Sequence, residues 1–249
     1  MATLYLLGTG AAVSDPHRTT TMLAVENEAG ILLVDCGGDV LQRLVASGGD
    51  PSSVQALIVT HEHPDHVSGF PLLMEKLWLY GRIEPLDVYG IDPAIAQAKR
   101  VHDAFDTSAW PEYPEIRYHP VEQTEGATVL ERNGWQVTAT PGEHAVPVIG
   151  LRIRDSAGGT VSYSCDTARS SGIARLATEA QIFVHEATGS GPGHSSALEA
   201  ARTAAEAKAD RLLLVHLPPA EHLGPRELEE ARQVFASTDK GVEGGRYRF

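Results

Sequence analysis

Short apolar runs alternate along this chain with longer stretches of helical periodicity. Leu4–Leu7 and Ile31–Asp35 read as strands, the second closed by Gly37-Gly38. Val40–Ser47 reads as a helix with Asp39 as its N-cap, where a short carboxylate can accept the free amides of the first turn. Val54–Thr60 predicts a buried strand, Phe70–Tyr80 a helix, Leu86–Tyr89 a strand and Pro93–Phe105 a helix with proline in its first turn. Residues 106–115, containing Trp110-Pro111-Glu112-Tyr113-Pro114, predict a loop. A β-rich region follows, with strands at Ile116–His119, Ala127–Glu131, Trp135–Thr140, Val148–Arg154 and Thr160–Ser164. Asn133-Gly134 between two of these is a strong hairpin turn, because both residues tolerate positive φ. Asp155–Gly159 is a similar turn. The chain then resumes its alternation with helix Ile173–Thr178, strand Ile182–His185, Ala-rich helix Ser195–Lys208, strand Leu212–Leu217 and helix Pro225–Ser237.

No linker, low-complexity tract or repeat of solenoid length interrupts this order, so residues 1–249 read as one domain. Strand-rich stretches with helices between them predict an α/β architecture of two sheets covered by helices. A chain of this length buries roughly 70–75% of its unfolded surface and needs no disulfides to fold. Its two cysteines, Cys36 and Cys165, read as small buried thiols at strand ends. The apolar run that begins at Met1 is short and lacks a basic flank, so it reads as a first strand and not as a signal peptide. No stretch approaches the ~18 apolar residues of a membrane span, so no membrane contact and a cytoplasmic location are expected.

Charge narrows the partners. The net charge is −13, and the 20 Lys+Arg are scattered apart from Arg246 and Arg248. Proteins that grip long nucleic acids cluster their cations, so extensive contact with a polyanion is disfavoured. A phosphate substrate is still compatible, since a bound divalent metal supplies positive charge locally.

The chemistry concentrates at Thr60-His61-Glu62-His63-Pro64-Asp65-His66, directly after a predicted buried strand. A single histidine at a strand end is usually an ordinary surface or core residue. His61, His63, Asp65 and His66 together would repel or stay unsatisfied without a cation. Imidazole with carboxylate suits zinc, manganese or iron better than calcium or magnesium. The donors exceed the needs of one tetrahedral structural ion and point to two adjacent metals completed from elsewhere in the chain. His144, Asp166 and His216 lie at or just after the C-terminal ends of other predicted strands, where turns can bring side chains together.

In this order the residues resemble the metallo-β-lactamase superfamily. Further segments are similar to its ribonuclease Z branch: Gly8-Thr9-Gly10, Val34-Asp35-Cys36-Gly37, Asp65-His66-x-x-Gly69-Phe70-Pro71 and Glu84-Pro85-Leu86 before Val88-Tyr89-Gly90. So are Tyr163-Ser164-Cys165-Asp166-Thr167, His185-Glu186-Ala187-Thr188 and Gly193-His194-Ser195-Ser196-Ala197. The likeness runs nearly end to end. Two departures stand out. In ribonuclease Z a long arm that grips tRNA is inserted between the third ligand motif and the bridging aspartate. Here only 22 positions separate His144 from Asp166. The branch's Pro-x-Lys-x-Arg-Asn-like loop is replaced by Pro16-His17-Arg18-Thr19-Thr20. The chain therefore looks more like the armless phosphodiesterase relatives of ribonuclease Z, some of which cleave small cyclic nucleotides.

The resemblance implies a four-layer αβ/βα sandwich with the site at one edge. It implies that His61, His63 and His144 hold one metal, that Asp65, His66 and His216 hold the other, and that Asp166 bridges both. A hydroxide shared by the two ions would attack phosphorus, with Asp65 orienting it or taking its proton. His194 would protonate the leaving oxygen, oriented by Glu186. His185 is a weaker candidate, and Thr9, Gly10 and Ser14 are candidates for the substrate mouth. His17, His102, His119 and His222 read as exposed or locally bonded. The leading expectation is a dinuclear phosphodiesterase acting on a small substrate. A tRNA 3′-end endonuclease and, less favoured, a lactone or thioester hydrolase stay open as alternatives, and so does a homodimer.

Overall fold

In the computed structural model, which describes residues 2–132, 134–219 and 224–249, the strands form two seven-stranded sheets. The first contains β1 (Thr3–Gly8), β2 (Met22–Asn27), β3 (Gly30–Val34), β4 (Val54–Val59), β5 (Leu86–Gly90), β6 (Ile116–Pro120) and the last strand, β14 (Gly245–Arg248). Their order is β14-β1-β2-β3-β4-β5-β6. The second contains β7 (Ala127–Arg132), β8 (Trp135–Pro141), β9 (Ile149–Asp155), β10 (Thr160–Tyr163), β11 (Ile182–Glu186), β12 (Leu212–Val215) and β13 (Thr238–Lys240). Their order is β13-β12-β11-β10-β9-β8-β7. Apolar faces of both sheets meet in one core: Leu6, Val25, Leu33 and Val59 from the first join Val137, Leu151, Val161 and Val215 from the second. Each fully buried Leu, Ile or Val contributes about 1.5–3 kcal/mol. Cys36 and Cys165 are free and buried, as expected.

Interior strands such as β3 and β12 are buried along their whole length, because helices cover the outer face of the sheet. On the first sheet these are α1 (Val40–Ala46), α3 (Phe70–Leu79) and α4 (Asp92–His102). On the second they are α5 (Ser171–Leu176), α6 (Ala197–Ala207) and α7 (Pro225–Val234). Asp39 caps α1, its Oδ1 accepting the Gln42 amide at 3.0 Å. Ser196 caps α6 in a reciprocal box with Glu199. Ala200, Ala201, Ala204 and Ala207 let α6 lie close to Phe183, Leu212 and Leu214.

The structure departs from the sequence expectation at the margins. α4 ends at His102 and α7 at Val234, short of Phe105 and Ser237, so the loop expected over residues 106–115 begins three residues earlier, at 103. Strands β2, β13 and β14 and the four-residue helix α2 (Pro64–Val67) were not expected. The register pairs Arg132 with Trp135 and Gly134 has φ +76°, as the expected hairpin requires; Asn133 lies outside the described residues.

The strand ends position the site. Asp35, Cys165 and His216 follow β3, β10 and β12 with φ of 61°, 53° and 50°. Left-handed backbone costs a residue other than glycine roughly 1–2 kcal/mol. Three such residues, one after a strand of the first sheet and two after strands of the second, mark a place where geometry is imposed for a reason other than stability.

Candidate active site

β4 runs into Thr60, and the chain crosses His61 and Glu62 to reach α2, with His63 as its N-cap and Pro64 in its first turn. This short helix turns Asp65 and His66 toward the same edge. Gly37 lets the loop after β3 pass beneath it: a Cβ there would sit 1.6 Å from the Asp65 carbonyl oxygen. His144 comes from the loop after β8, Asp166 from the turn after β10 and His216 from the end of β12.

All seven residues expected to ligate metal converge. His63 Nδ1 lies 3.1 Å from His61 Nε2 and 3.2 Å from His144 Nε2. His216 Nε2 lies 3.3 Å from both Asp65 Oδ2 and Asp166 Oδ2. His66 Nε2 is 3.6 Å from the same two oxygens, and His61 Nε2 is 4.0 Å from Asp166 Oδ2. Asp166 thus stands between an imidazole trio and a group with its own carboxylate.

The surroundings fix which nitrogen faces inward in four of the five rings. His66 Nδ1–H donates to Asp35 Oδ2 at 2.8 Å, and His144 Nδ1–H to the Gly193 carbonyl at 2.8 Å. The Thr188 hydroxyl donates to the His216 carbonyl at 3.0 Å and accepts from His216 Nδ1 at 2.7 Å. His61 Nδ1 faces Thr60 Oγ1 at 3.2 Å. Four rings therefore present bare Nε2 lone pairs to the site.

These donors fit divalent cations. His66 Nε2 and Asp166 Oδ1 are buried without a hydrogen-bond partner, a costly arrangement unless a positive ion sits there. Burial holds the pKa of His61 far below the ordinary histidine value, so its ring stays a neutral donor. Burial alone would raise the pKa of Asp166, but His216 and His66 outweigh it and hold the carboxyl well below its usual range. For His66, burial is outweighed by Asp35 and Asp166, and the pKa rises. Where several imidazoles face carboxylates this closely, a metal ion can take the place of the proton.

Glu186 and His194 also meet. Glu186 is fully buried at the end of β11 and accepts the Thr167, Thr188 and Ser195 amides at 3.1, 2.9 and 3.1 Å. His194 Nδ1–H donates to its Oε1 at 2.9 Å, leaving Nε2 free. The hydrogen bond to Glu186 raises the pKa of His194. The ring stacks on His216, with centroids 5.8 Å apart, and meets His144 edge-on at 4.9 Å.

Other expectations resolve differently. His185 points away from the site, packing on Phe183 with Nδ1 bonded to the Glu186 carbonyl at 2.7 Å. Thr9 is buried, and its amide and hydroxyl both donate to Glu243 at 2.9 Å, so it does not line a substrate mouth. Ser14 and His17 are exposed. His102 bonds the Tyr113 hydroxyl at 3.0 Å and His119 bonds Asp87 at 2.6 Å, both local pairings; His222 lies outside the described residues. The supports Asp35, Thr60, Thr188 and Gly193 were not singled out from sequence. Thr60 adjoins the ligand cluster and Thr188 the Glu186 motif, but nothing local in the sequence marks either as a support.

Residues 31–217 match a family described as the beta-lactamase superfamily domain. Ribonuclease Z of Methanothermobacter thermautotrophicus is 29% identical across 96% of this chain and 94% of its own length. That alignment spans 295 positions against a chain of 249 residues, so the relative carries residues that this chain lacks. Human tRNase Z, short form, shares the fold with a TM-score of 0.81 at 21% identity, over 100% of this chain and 98% of that one. A diphosphatase of the PhnP family does so with a TM-score of 0.79 at 21% identity, over 100% and 98%. With the sandwich, the donor cluster and the family match in agreement, the chain belongs to the beta-lactamase superfamily and counts ribonuclease Z among its relatives.

Proposed function

We propose that this metal-dependent hydrolase cleaves small phosphodiesters, such as cyclic nucleotides, with the help of two divalent ions, zinc favoured over manganese or iron. The observation that carries the reading is the His194–Glu186 pair at the rim of a seven-donor cluster. His61, His63 and His144 would hold one ion, Asp65, His66 and His216 the other, and Asp166 both. When bound, such ions make water nucleophilic near neutral pH and offset charge on the phosphoryl oxygens. The chain's own side chains do the rest. Asp65, less buried than Asp166, orients the attacking water or takes its proton. His194 protonates the departing alkoxide from Nε2, and Glu186, immobilised by three amides, holds the ring in line.

Three features favour a small substrate over whole tRNA. The residues between His144 and Asp166 are used up by a short loop, the β9–β10 hairpin and its turn, with none left for an arm. A groove of about 620 Å³ beside His144, lined by Gln123, Glu143, Val146, Pro147 and Pro192, contains no Lys or Arg. The net charge is −13. The second reading, tRNA 3′-end cleavage, is favoured by the near full-length relationship to ribonuclease Z. A lactonase or thioesterase would not need the His194–Glu186 pair. We also propose a homodimer formed through the exposed apolar side chains Val45, Leu79 and Tyr80, which light scattering of Tyr80→Glu against the unaltered chain would read.

A hydrolysis panel on zinc-loaded protein tests the function, using bis-p-nitrophenyl phosphate, cyclic nucleotides, pre-tRNA and a lactone. Preference for cyclic nucleotides supports the proposal. Preference for pre-tRNA supports the second reading, and turnover of the lactone alone overturns both.

A further inference from the structure

Asp35 makes more contacts than one ligand ring requires. It is fully buried, follows β3 in a left-handed conformation and accepts from three donor groups of two residues, the Thr60 hydroxyl lying within reach of both its oxygens. The Thr60 amide reaches Oδ1 at 2.9 Å; the Thr60 hydroxyl lies 3.0 Å from Oδ1 and 2.9 Å from Oδ2; His66 Nδ1–H reaches Oδ2 at 2.8 Å. A carboxylate only accepts, so the single hydroxyl proton of Thr60 is committed to Asp35. Its oxygen lone pairs then face the two donors around it, His61 Nδ1 at 3.2 Å and the Cys165 thiol at 2.9 Å. His61 must carry its proton on Nδ1, which leaves Nε2 bare toward His63.

We propose that Thr60 and Asp35 form one buried relay, His61 to Thr60 to Asp35 from one side and His66 to Asp35 from the other, that sets the tautomer and orientation of one ring in each half of the metal site. The inference rests on the two-ion reading above. Asp35 and Thr60 are positioning residues: they touch ligands and not substrate. The relay implies an asymmetry. Asp35 supports both halves, whereas the Thr60 hydroxyl supports only the half containing His61. Cys165 Sγ is the only other neighbour of His61 Nδ1 among the described contacts, at 3.5 Å, and sulfur is a weak acceptor.

The test is stepwise zinc uptake against a competing chelator, with the absorption spectrum of the cobalt-substituted protein as a second readout. The proteins compared are unaltered, Thr60→Val, Thr60→Ser and Asp35→Asn. Thr60→Val keeps the side-chain shape and is expected to weaken one of two binding steps by about 10–100-fold, the usual effect of losing an outer-shell partner. Thr60→Ser restores the hydroxyl and should restore that step and its cobalt bands. Asp35→Asn should weaken both steps. The relay is overturned if the unaltered protein binds two ions and Thr60→Val changes neither step. It is equally overturned if Thr60→Val weakens both steps alike, or if serine fails to rescue. Uptake of a single ion by the unaltered protein instead removes the two-ion reading and the relay with it.

Discussion

The two halves of the site are built from different chemistry. The half with His61, His63 and His144 offers three imidazoles and no carboxylate of its own, and two of the rings are partly open to solvent. The half with Asp65, His66 and His216 adds a carboxylate, and both of its rings are buried. Their supports differ too: a threonine hydroxyl and a glycine carbonyl on one side, a carboxylate and a threonine hydroxyl on the other. Neutral donors leave the charge of a bound cation largely uncompensated, whereas a carboxylate offsets it. On the proposed two-ion reading, an ion in the nitrogen half would keep more of its positive charge, and an ion in the carboxylate half would be held more tightly. Asp166 lies between them and, on that reading, would serve both.

The strongest way to break this comparison is to remove what the halves share. Asp166→Ala should lose about two equivalents of zinc and lower turnover by about 10⁴-fold or more, since the nucleophile and the charge stabilisation disappear together. His144→Ala should lose about one equivalent. Elemental analysis after loading and desalting measures both. Equal losses from the two variants would mean that the halves do not fill independently.

His194 touches both halves through its ring contacts and is not assigned to either. His194→Ala is expected to lower turnover of a poor leaving group by roughly 10²–10⁴-fold, the range for general acid catalysis. Zinc content should not change. With p-nitrophenolate as leaving group the loss should shrink, because that group needs little proton transfer. Loss of zinc, or an equal loss with good and poor leaving groups, would remove His194 as the acid.

The pH profile sharpens the same point with a smaller effect. Glu186 raises the pKa of His194, so the charged ring persists above the ordinary histidine value of about 6.5. Turnover that needs the acid is then kept at low pH and lost as pH rises through the raised value. Asp166 and Asp65 also raise this pKa, but bound cations would neutralise their effect, leaving the Glu186 hydrogen bond as the persistent cause. Glu186→Gln should move the alkaline limb of kcat to lower pH, with little change well below it. An unmoved limb would show that another group titrates there.

These residues differ in how visible they were in the sequence. His61, His63, Asp65 and His66 declared themselves because four donors on one strand-to-helix turn have few other uses. His144, Asp166 and His216 were found by their strand-end positions, and Glu186 and His194 only through family likeness. Thr60 and Asp35 stayed silent because a hydroxyl or carboxylate that orients a ring carries no local pattern; its partner arrives from another strand. Thr9 misled for the opposite reason. It follows a Gly-rich strand end that looks like a substrate loop, yet Glu243, over two hundred positions away in sequence, takes both its donors. In the fold, β13 and β14 were missed because short polar edge strands have no apolar run, whereas the buried interior of β4 and β12 was plain.

The finest distinction between the halves lies in one hydroxyl. Thr188 accepts His216 Nδ1–H while donating to the His216 carbonyl, and its amide independently bonds Glu186. Thr188→Val keeps shape and backbone but strands a buried N–H, a cost of about 1–3 kcal/mol. The expected result is about tenfold weaker zinc binding in the carboxylate half, at the low end for an outer-shell partner, with turnover near normal in excess zinc. Gly193→Ala is the counterpart for the nitrogen half: the position has φ +78°, and an added Cβ would sit 2.9 Å from His144 Nδ1. Chelator competition on the two variants should show different ions weakened. If both variants weaken the same ion, the division of supports between the halves is wrong, and the ring of His216 must be held by something other than Thr188.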